Sequence, residues 1–428
     1  YGVLEILFRD ANIFDIYVDS PPGVTPVYID HRDYGICTTN LSLSEEDLEK
    51  ISSKFRSIGG RPFDEANPVM DMELRELGIR VAGIREPSSF GGIAYAFRKH
   101  KETPWTLAKF VDEDMMSARS AAILGLLVGG RRSILVTGAR GSGKTSLLSA
   151  LIAEIRQDDR IVLMEDTPEI SVDYLRRCGW KIEHLRNRPP ISTTKAGQSY
   201  ELSPQENLRA ALRLGESVLI LGEVRGTEAR ALFEAMRVGA AGNAVLGTIH
   251  GSTPYDTWDR VTNDLGVPST SFKAVDIVVS LGYREVDAGS RKERYLRNIT
   301  EVGKMWDSNP EREGAFVDIM SYDEASNVEV FHVESSAVVK NIAMQKKMSP
   351  AECEDSILFR EKMIRSMVEL SHKEKLGELL ELKGTVNANR IYLRLMNDQV
   401  RRYGRVDYDM LYSGWRKEFL DYVNGIKP

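Results

Sequence analysis

Gly138-Ala139-Arg140-Gly141-Ser142-Gly143-Lys144-Thr145 has the spacing G-x-x-x-x-G-K-T, which suits the capture of a nucleoside triphosphate. Glycines let the backbone turn tightly and aim successive N–H groups inward. A helix starting near Lys144 and running through Ser146 would add the positive end of its dipole. In such a cradle Lys144 reaches the β and γ phosphates as a point charge, and the Thr145 hydroxyl ligates Mg²⁺. A glycine-rich turn between strand and helix is the competing reading. The flanks oppose it: Ser133 to Val136 is a short apolar run that reads as a buried strand, and Thr145 to Ile155 continues as an amphipathic helix.

Three further segments could supply the rest of a hydrolytic site. Val218 to Leu221 is an apolar strand that delivers Glu223, 79 residues beyond Lys144, where a carboxylate can hold the Mg²⁺ shell and orient or deprotonate water. An acid after a strand also serves as an ordinary helix cap. Ile161 to Met164 exits into Glu165, Asp166 and Glu169. Glu165 could polarise water or support the metal shell, or the group could be an acidic helix start. Alternation along Ala244 to Ile249 puts Thr248 and His250 on one side of the pleat, facing the same crevice, with His250 placed either to sense a γ-phosphate or to be structural. Arginines would neutralise charge on the transferred group; the candidates are Arg225, beside Glu223, and Arg80, Arg85 and Arg98 far upstream.

The elements that must position these groups alternate. Apolar runs at 133–136, 161–164, 218–221, 244–249 and 277–280 are separated by helical stretches. That order implies right-handed crossovers and a doubly wound, mainly parallel α/β sheet with its motifs at the carboxyl edge. Upstream, residues 1–98 read as a smaller α+β domain, with a capped helix from Ser44 to about Ile58 and strands near 27–29, 35–38, 78–84 and 92–97. Residues 99–117 read as a linker around Thr103-Pro104, 118–335 as the nucleotide-binding domain, and 336–428 as a charged helical region.

Composition removes several classes. Of 428 residues, 57 are Lys or Arg and 63 are Asp or Glu, giving a formal charge of −6, so no nucleic-acid partner is expected. Cys37, Cys178 and Cys353 form no C-x-x-C pair, which fits a reduced, cytoplasmic setting. The longest apolar stretch, Ala121 to Val128, falls well short of the ~20 residues a membrane span needs. The first residue is Tyr1 rather than Met, so a preceding segment is expected.

Taken in order, Gly138 to Thr145, Glu165-Asp166-x-x-Glu169, Leu221-Gly-Glu223-Val-Arg225-Gly226 and Thr248-x-His250 resemble the Walker A, Asp box, Walker B and His box of the type II and type IV secretion ATPases. That superfamily includes the motors of type IV pili and the archaellum. The likeness covers roughly residues 25–330, with Thr38-Thr-Asn40 and Gly78-Ile-Arg80-Val81 in the N-terminal domain, and it is nearest the archaeal branch, lacking a tetracysteine insert. Gly215-Glu216-Ser217, Asn243 and the last ~90 residues depart from the family pattern. The resemblance implies a RecA-like P-loop ATPase with ATP and Mg²⁺, Arg80 and Arg98 near the γ-phosphate, and a hexameric ring. It further implies a polytopic membrane platform protein as partner, pilin-like or secreted cargo, and a place at the inner face of the membrane. A nucleic-acid translocase on the same core and a weakly hydrolysing assembly scaffold are the alternatives; a GTPase is disfavoured because no N-K-x-D motif is present.

Overall fold

Alternating apolar residues build the first of two units, Tyr1–Glu102 with Glu285–Arg291, seen in a computed structural model. The model describes residues 1–32, 34–60, 62–99, 103–186, 204–215, 218–226, 228–238, 244–286 and 291–426. Glu216, Ser217 and Asn243 lie outside these. Strands β1 (Ile13–Val18), β2 (Pro26–His31), β3 (Gly35–Ser42), β4 (Val69–Leu74), β5 (Ile79–Ile84) and β6 (Ala94–Lys99) form an antiparallel sheet in the order β3-β2-β1-β6-β5-β4. The helix Glu45–Gly59 covers its apolar face. Ser44 and Asp47 close a capping box at the helix start, and Gly60 ends it at φ +62°. Leu48 and Phe55 from the helix meet Ile16, Val81 and Phe97 from the sheet, all fully buried. β1 and β4 add two strands to those expected in this unit.

The second unit is Thr103–Arg284 with Lys292–Pro428. Its strands are β7 (Ile134–Gly138), β8 (Arg160–Glu165), β9 (Lys181–Arg186), β10 (Val218–Leu221), β11 (Val245–His250), β12 (Ile277–Val286), β13 (Arg291–Val302), β14 (Phe316–Asp323) and β15 (Val328–Phe331). They make one nine-stranded sheet, β15-β14-β13-β12-β7-β11-β10-β8-β9. From β9 to β12 every pairing is parallel, whereas β13, β14 and β15 run antiparallel as a meander at the far edge. The expected mainly parallel α/β sheet is present, covered on both faces. Ile134, Val136, Ile161 and Ile220 face one apolar cluster with Leu147 and Leu148. Leu135, Val162, Leu219 and Leu221 face another with Leu232 and Phe233.

Two expected divisions do not match this unit. The stretch 99–117 is not a simple linker: Leu107–Asp112 is a helix capped by Thr106, and its Leu107, Ala108 and Phe110 are buried. The Thr106 hydroxyl donates to the Leu380 carbonyl, and Lys109 pairs with Glu381, which anchors the helix to the C-terminal region. That region is helical, as its charge pattern implies, with helices Ala337–Gln345, Pro350–Glu374, Leu382–Tyr403 and Tyr408–Ile426. It is not a separate body, because Phe359, Trp415 and Phe419 share a core with Ala121, Leu124 and Leu148. Among the described residues no helix is long and apolar enough to cross a membrane.

Candidate active site

Register decides which side chains meet. β11 aligns His250 with Gly138 of β7, and β10 aligns Leu221 with Gly247 of β11 and Met164 of β8. All four motif segments therefore leave the sheet at one carboxyl edge, where an open α/β sheet offers its crevice. After Gly138 the loop turns through Gly141 at φ +81° and Gly143 at φ +94°, and the helix Lys144–Ala153 begins at once. Those dihedrals favour glycine strongly. At Gly138 a Cβ would lie 2.4 Å from Ser142 Oγ and 3.0 Å from the Leu281 carbonyl oxygen, so the loop closes only over a bare α-carbon.

A continuous line of polar contacts crosses the crevice. Lys144 Nζ donates to the carbonyls of Gly138 and Ala139, both at 2.9 Å, and lies 3.4 Å from His250 Nδ1. His250 Nε2 is 3.1 Å from Glu223 Oε1, Glu223 Oε2 is 3.5 Å from Arg225 Nη1, and Arg225 Nη2 donates to Asp166 Oδ2. Burial pushes the Lys144 ammonium down from the usual lysine range, opposed by Glu223 and Glu169. Burial, then the Lys144 charge, likewise pushes His250 down, which favours a neutral ring. One tautomer satisfies both neighbours: Nδ1 accepts from Lys144 and Nε2–H donates to Glu223.

Glu165, expected to act on water or metal, is buried and already used. Its Oε1 accepts the N–H groups of Glu169 at 3.0 Å and Ile170 at 3.2 Å, and its Oε2 lies 3.0 Å from His184 Nε2. Burial raises its pKa. The carboxyl thus folds the loop after β8, and Asp166 is the acid of that segment that reaches Arg225. Thr248 is also buried instead of facing the crevice. Its hydroxyl donates to the Gly222 carbonyl and its own carbonyl accepts from Val224 N at 2.8 Å, fixing the turn that carries Glu223. Within the phosphate loop Arg140 is exposed, while Ala139, Thr145 and Ser146 are half-buried.

The upstream arginines are paired inside their own unit: Arg80 with Asp71 at 3.2 Å, Arg98 with Asp15 at 2.9 Å, and Arg85 with Glu49 at 2.8 Å. Arg80 and Arg98 lie directly opposite each other across β5 and β6. Sequence reasoning missed two residues. Glu228 is buried and accepts the N–H groups of Arg225 at 3.0 Å and Gly226 at 2.9 Å, so it shapes the loop behind Glu223. An acid three residues after Arg225 at a helix start was the available signal. His184 had none, since its partner lies 19 positions away.

The residues present fit a triphosphate with its ion. Ser142 Oγ is buried without a partner among the described residues, beside the space that Gly138 leaves, and the loop ends on a helix N-terminus. Thr145 and Glu223 offer hard oxygen donors, and Mg²⁺ binds proteins through one or two such groups while keeping water and phosphate ligands.

Comparison with known proteins identifies the family of the chain. The profile of the family described as "Type II/IV secretion system protein" matches residues 61–364. An uncharacterised protein of Methanocaldococcus jannaschii is 28% identical over 246 residues, which are 56% of this chain and 33% of that protein. A second one from the same organism is 29% identical over 283 residues, 65% of this chain and 48% of the relative. The type IV secretion system protein VirB11 of Bartonella henselae is 31% identical over 293 residues, 60% of this chain and 78% of VirB11. The chain thus spans a third to a half of the length of the first two relatives. With most of its length matched by the profile, the chain belongs to the type II/IV secretion system protein family.

Proposed function

We propose that this chain is an ATP hydrolase that drives a type II/IV secretion or type IV pilus-like machine. The observation that carries the reading is the unbroken line Lys144, His250, Glu223, Arg225, Asp166 at the mouth of the phosphate loop. On ATP binding, Lys144 exchanges the two loop carbonyls for the β and γ oxygens. Glu223 orients the attacking water and takes its proton. His250, held neutral between them, registers the γ-phosphate and couples its presence to Glu223. Arg225, fixed by Asp166, steadies the loop bearing Glu223 and lends positive charge. Thr145 and Glu223 would hold Mg²⁺, partly through water, and the ion would supply charge neutralisation on the phosphate oxygens.

The mechanical output rests on the family and on the relative named as a type IV secretion system protein. We infer a hexameric ring in which Arg80 and Arg98 exchange Asp71 and Asp15 for a γ-phosphate as the N-terminal unit closes. Domain motion then works a polytopic membrane platform protein that moves pilin-like or secreted subunits, with the chain at the inner face of the membrane. The test is steady-state hydrolysis and nucleotide retention by the full chain. Lys144→Ala should bind weakly and not turn over, whereas Glu223→Gln should bind normally and trap ATP. Equal turnover in wild type and Glu223→Gln would overturn the assignment.

A further inference from the structure

β13 brings to the phosphate loop a cation, Arg294, that the proposed chemistry does not use. The strand lies beside β12 and runs antiparallel to it, with Tyr295 against Gly282 and Glu293 against Arg284. Leu296 is fully buried in the cluster that holds Leu147 and Leu148, so its side of β13 is the one that carries the Lys144–Ala153 helix. Tyr295 points the other way: its ring packs over Gly282 of β12, and its hydroxyl donates to Glu324 at 2.8 Å. Strand alternation then assigns Arg294 to the helix side, two residues nearer the carboxyl edge than Leu296. The strand is pinned there by Leu296 N donating to the Met115 carbonyl at 2.9 Å.

Arg294 reaches the phosphate loop itself. Its Nε donates to the Gly141 carbonyl at 2.8 Å, and its Cδ lies 3.7 Å from where a Cβ on Gly143 would be, beside Met115 Cε at 3.6 Å. A loop that turns its N–H groups inward leaves its carbonyls outward, and at Gly141 that carbonyl is taken by Arg294. Arg294 thus holds Gly141 by a hydrogen bond and lies against Gly143, the two positive-φ glycines of the loop, from outside. Among the described residues no carboxylate neutralises its guanidinium, so the remaining N–H groups are available to phosphate oxygens.

We propose that Arg294 is a nucleotide-positioning residue of this site: it clasps the crest of the phosphate loop at Gly141 and presents a second cation, opposite Lys144, to the nucleotide's phosphates. The inference rests on the phosphate-loop reading given above. Its contribution falls on binding, because the contact is to the loop and not to the γ-phosphoryl group that the water oriented by Glu223 attacks.

The test measures the affinity of full-length protein for Mg-ADP and Mg-ATP at two salt concentrations, with thermal unfolding and kcat at saturating ATP alongside. The variants are Arg294→Ala, Arg294→Lys and Lys144→Ala. Arg294→Ala should weaken both nucleotides about tenfold and flatten the salt dependence, while kcat and Tm stay near wild type. Arg294→Lys, which keeps the charge and loses the fork, should recover part of the affinity. Arg294→Ala within twofold of wild type, or Arg294→Lys no better than Ala, would overturn the inference. Wild-type protein that binds no nucleotide, or Lys144→Ala that binds as wild type does, would instead sink the phosphate-loop reading.

Discussion

Gly143→Ala isolates the backbone contribution to nucleotide capture. Gly143 sits at φ +94°, well beyond the left-handed region that alanine tolerates, and it is the residue from which the Lys144 helix starts. Space is not the obstacle, since the nearest neighbours of an added Cβ are at 3.6 and 3.7 Å. A non-glycine residue held in so sparsely populated a conformation costs about 1–3 kcal/mol. In the free Gly143→Ala variant the loop would relax away from that conformation. Binding forces it back, so the strain reappears as lost affinity of about 5- to 150-fold. Gly404 is the control: it ends the Leu382–Tyr403 helix at φ +71° with nothing within 4 Å. Gly404→Ala should lower stability by about 1 kcal/mol and leave nucleotide affinity unchanged. The assay is titration of a fluorescent ADP analogue with Tm measured in parallel. Gly143→Ala binding within twofold of wild type, or Gly404→Ala losing as much affinity, would refute the reasoning.

Two predictions concern the helical region. Trp415 is fully buried, stacks on Phe419 with ring centroids 4.9 Å apart, and donates from Nε1 to the Ala388 carbonyl at 3.0 Å. Trp415→Ala should destabilise the second unit by about 3–5 kcal/mol in denaturant titrations, and an unchanged midpoint would show that these helices do not share its core. Burial holds the Glu154 carboxyl above its ordinary 4.5, with Arg360 Nη1 at 3.5 Å opposing the shift. A carboxyl whose folded pKa is raised keeps protons that the unfolded chain releases, so it withdraws stability as pH climbs from about 4.5 through the folded value. The Tm difference favouring Glu154→Gln should therefore widen from pH 4.5 towards neutrality. A constant or narrowing difference would contradict that sign.

What the sequence conveys depends on how local the physics is. The phosphate loop was legible because its glycines and Lys144 act through a single turn and the flanking strand and helix. Five apolar runs fell on β7, β8, β10, β11 and β12, within a residue at the start, because strands buried on both faces must be apolar throughout. β13, β14 and β15 carry charged, alternating sequences at the sheet edge, and no apolar run announces them. The Leu107–Asp112 helix hid behind Thr103-Pro104 and the polar residues around it; the burial of Leu107, Ala108 and Phe110, and contacts with Leu380 and Glu381 more than 250 positions on, explain why it is ordered. At the site, the types and order of the acids were readable, but their pairings were not. That Glu165 is spent on His184 and backbone N–H groups, that Thr248 holds Gly222, and that Asp166 is the partner of Arg225 all follow from strand register, which composition does not encode.

The most direct test is a crystal structure of the full chain with Mg²⁺ and a non-hydrolysable ATP analogue. The account predicts that Lys144 Nζ leaves the Gly138 and Ala139 carbonyls for the β and γ oxygens, with His250 and Glu223 both facing the γ-phosphate. An analogue bound with Lys144 still on those carbonyls, or with Glu223 and His250 turned away from the γ-phosphate, would contradict it.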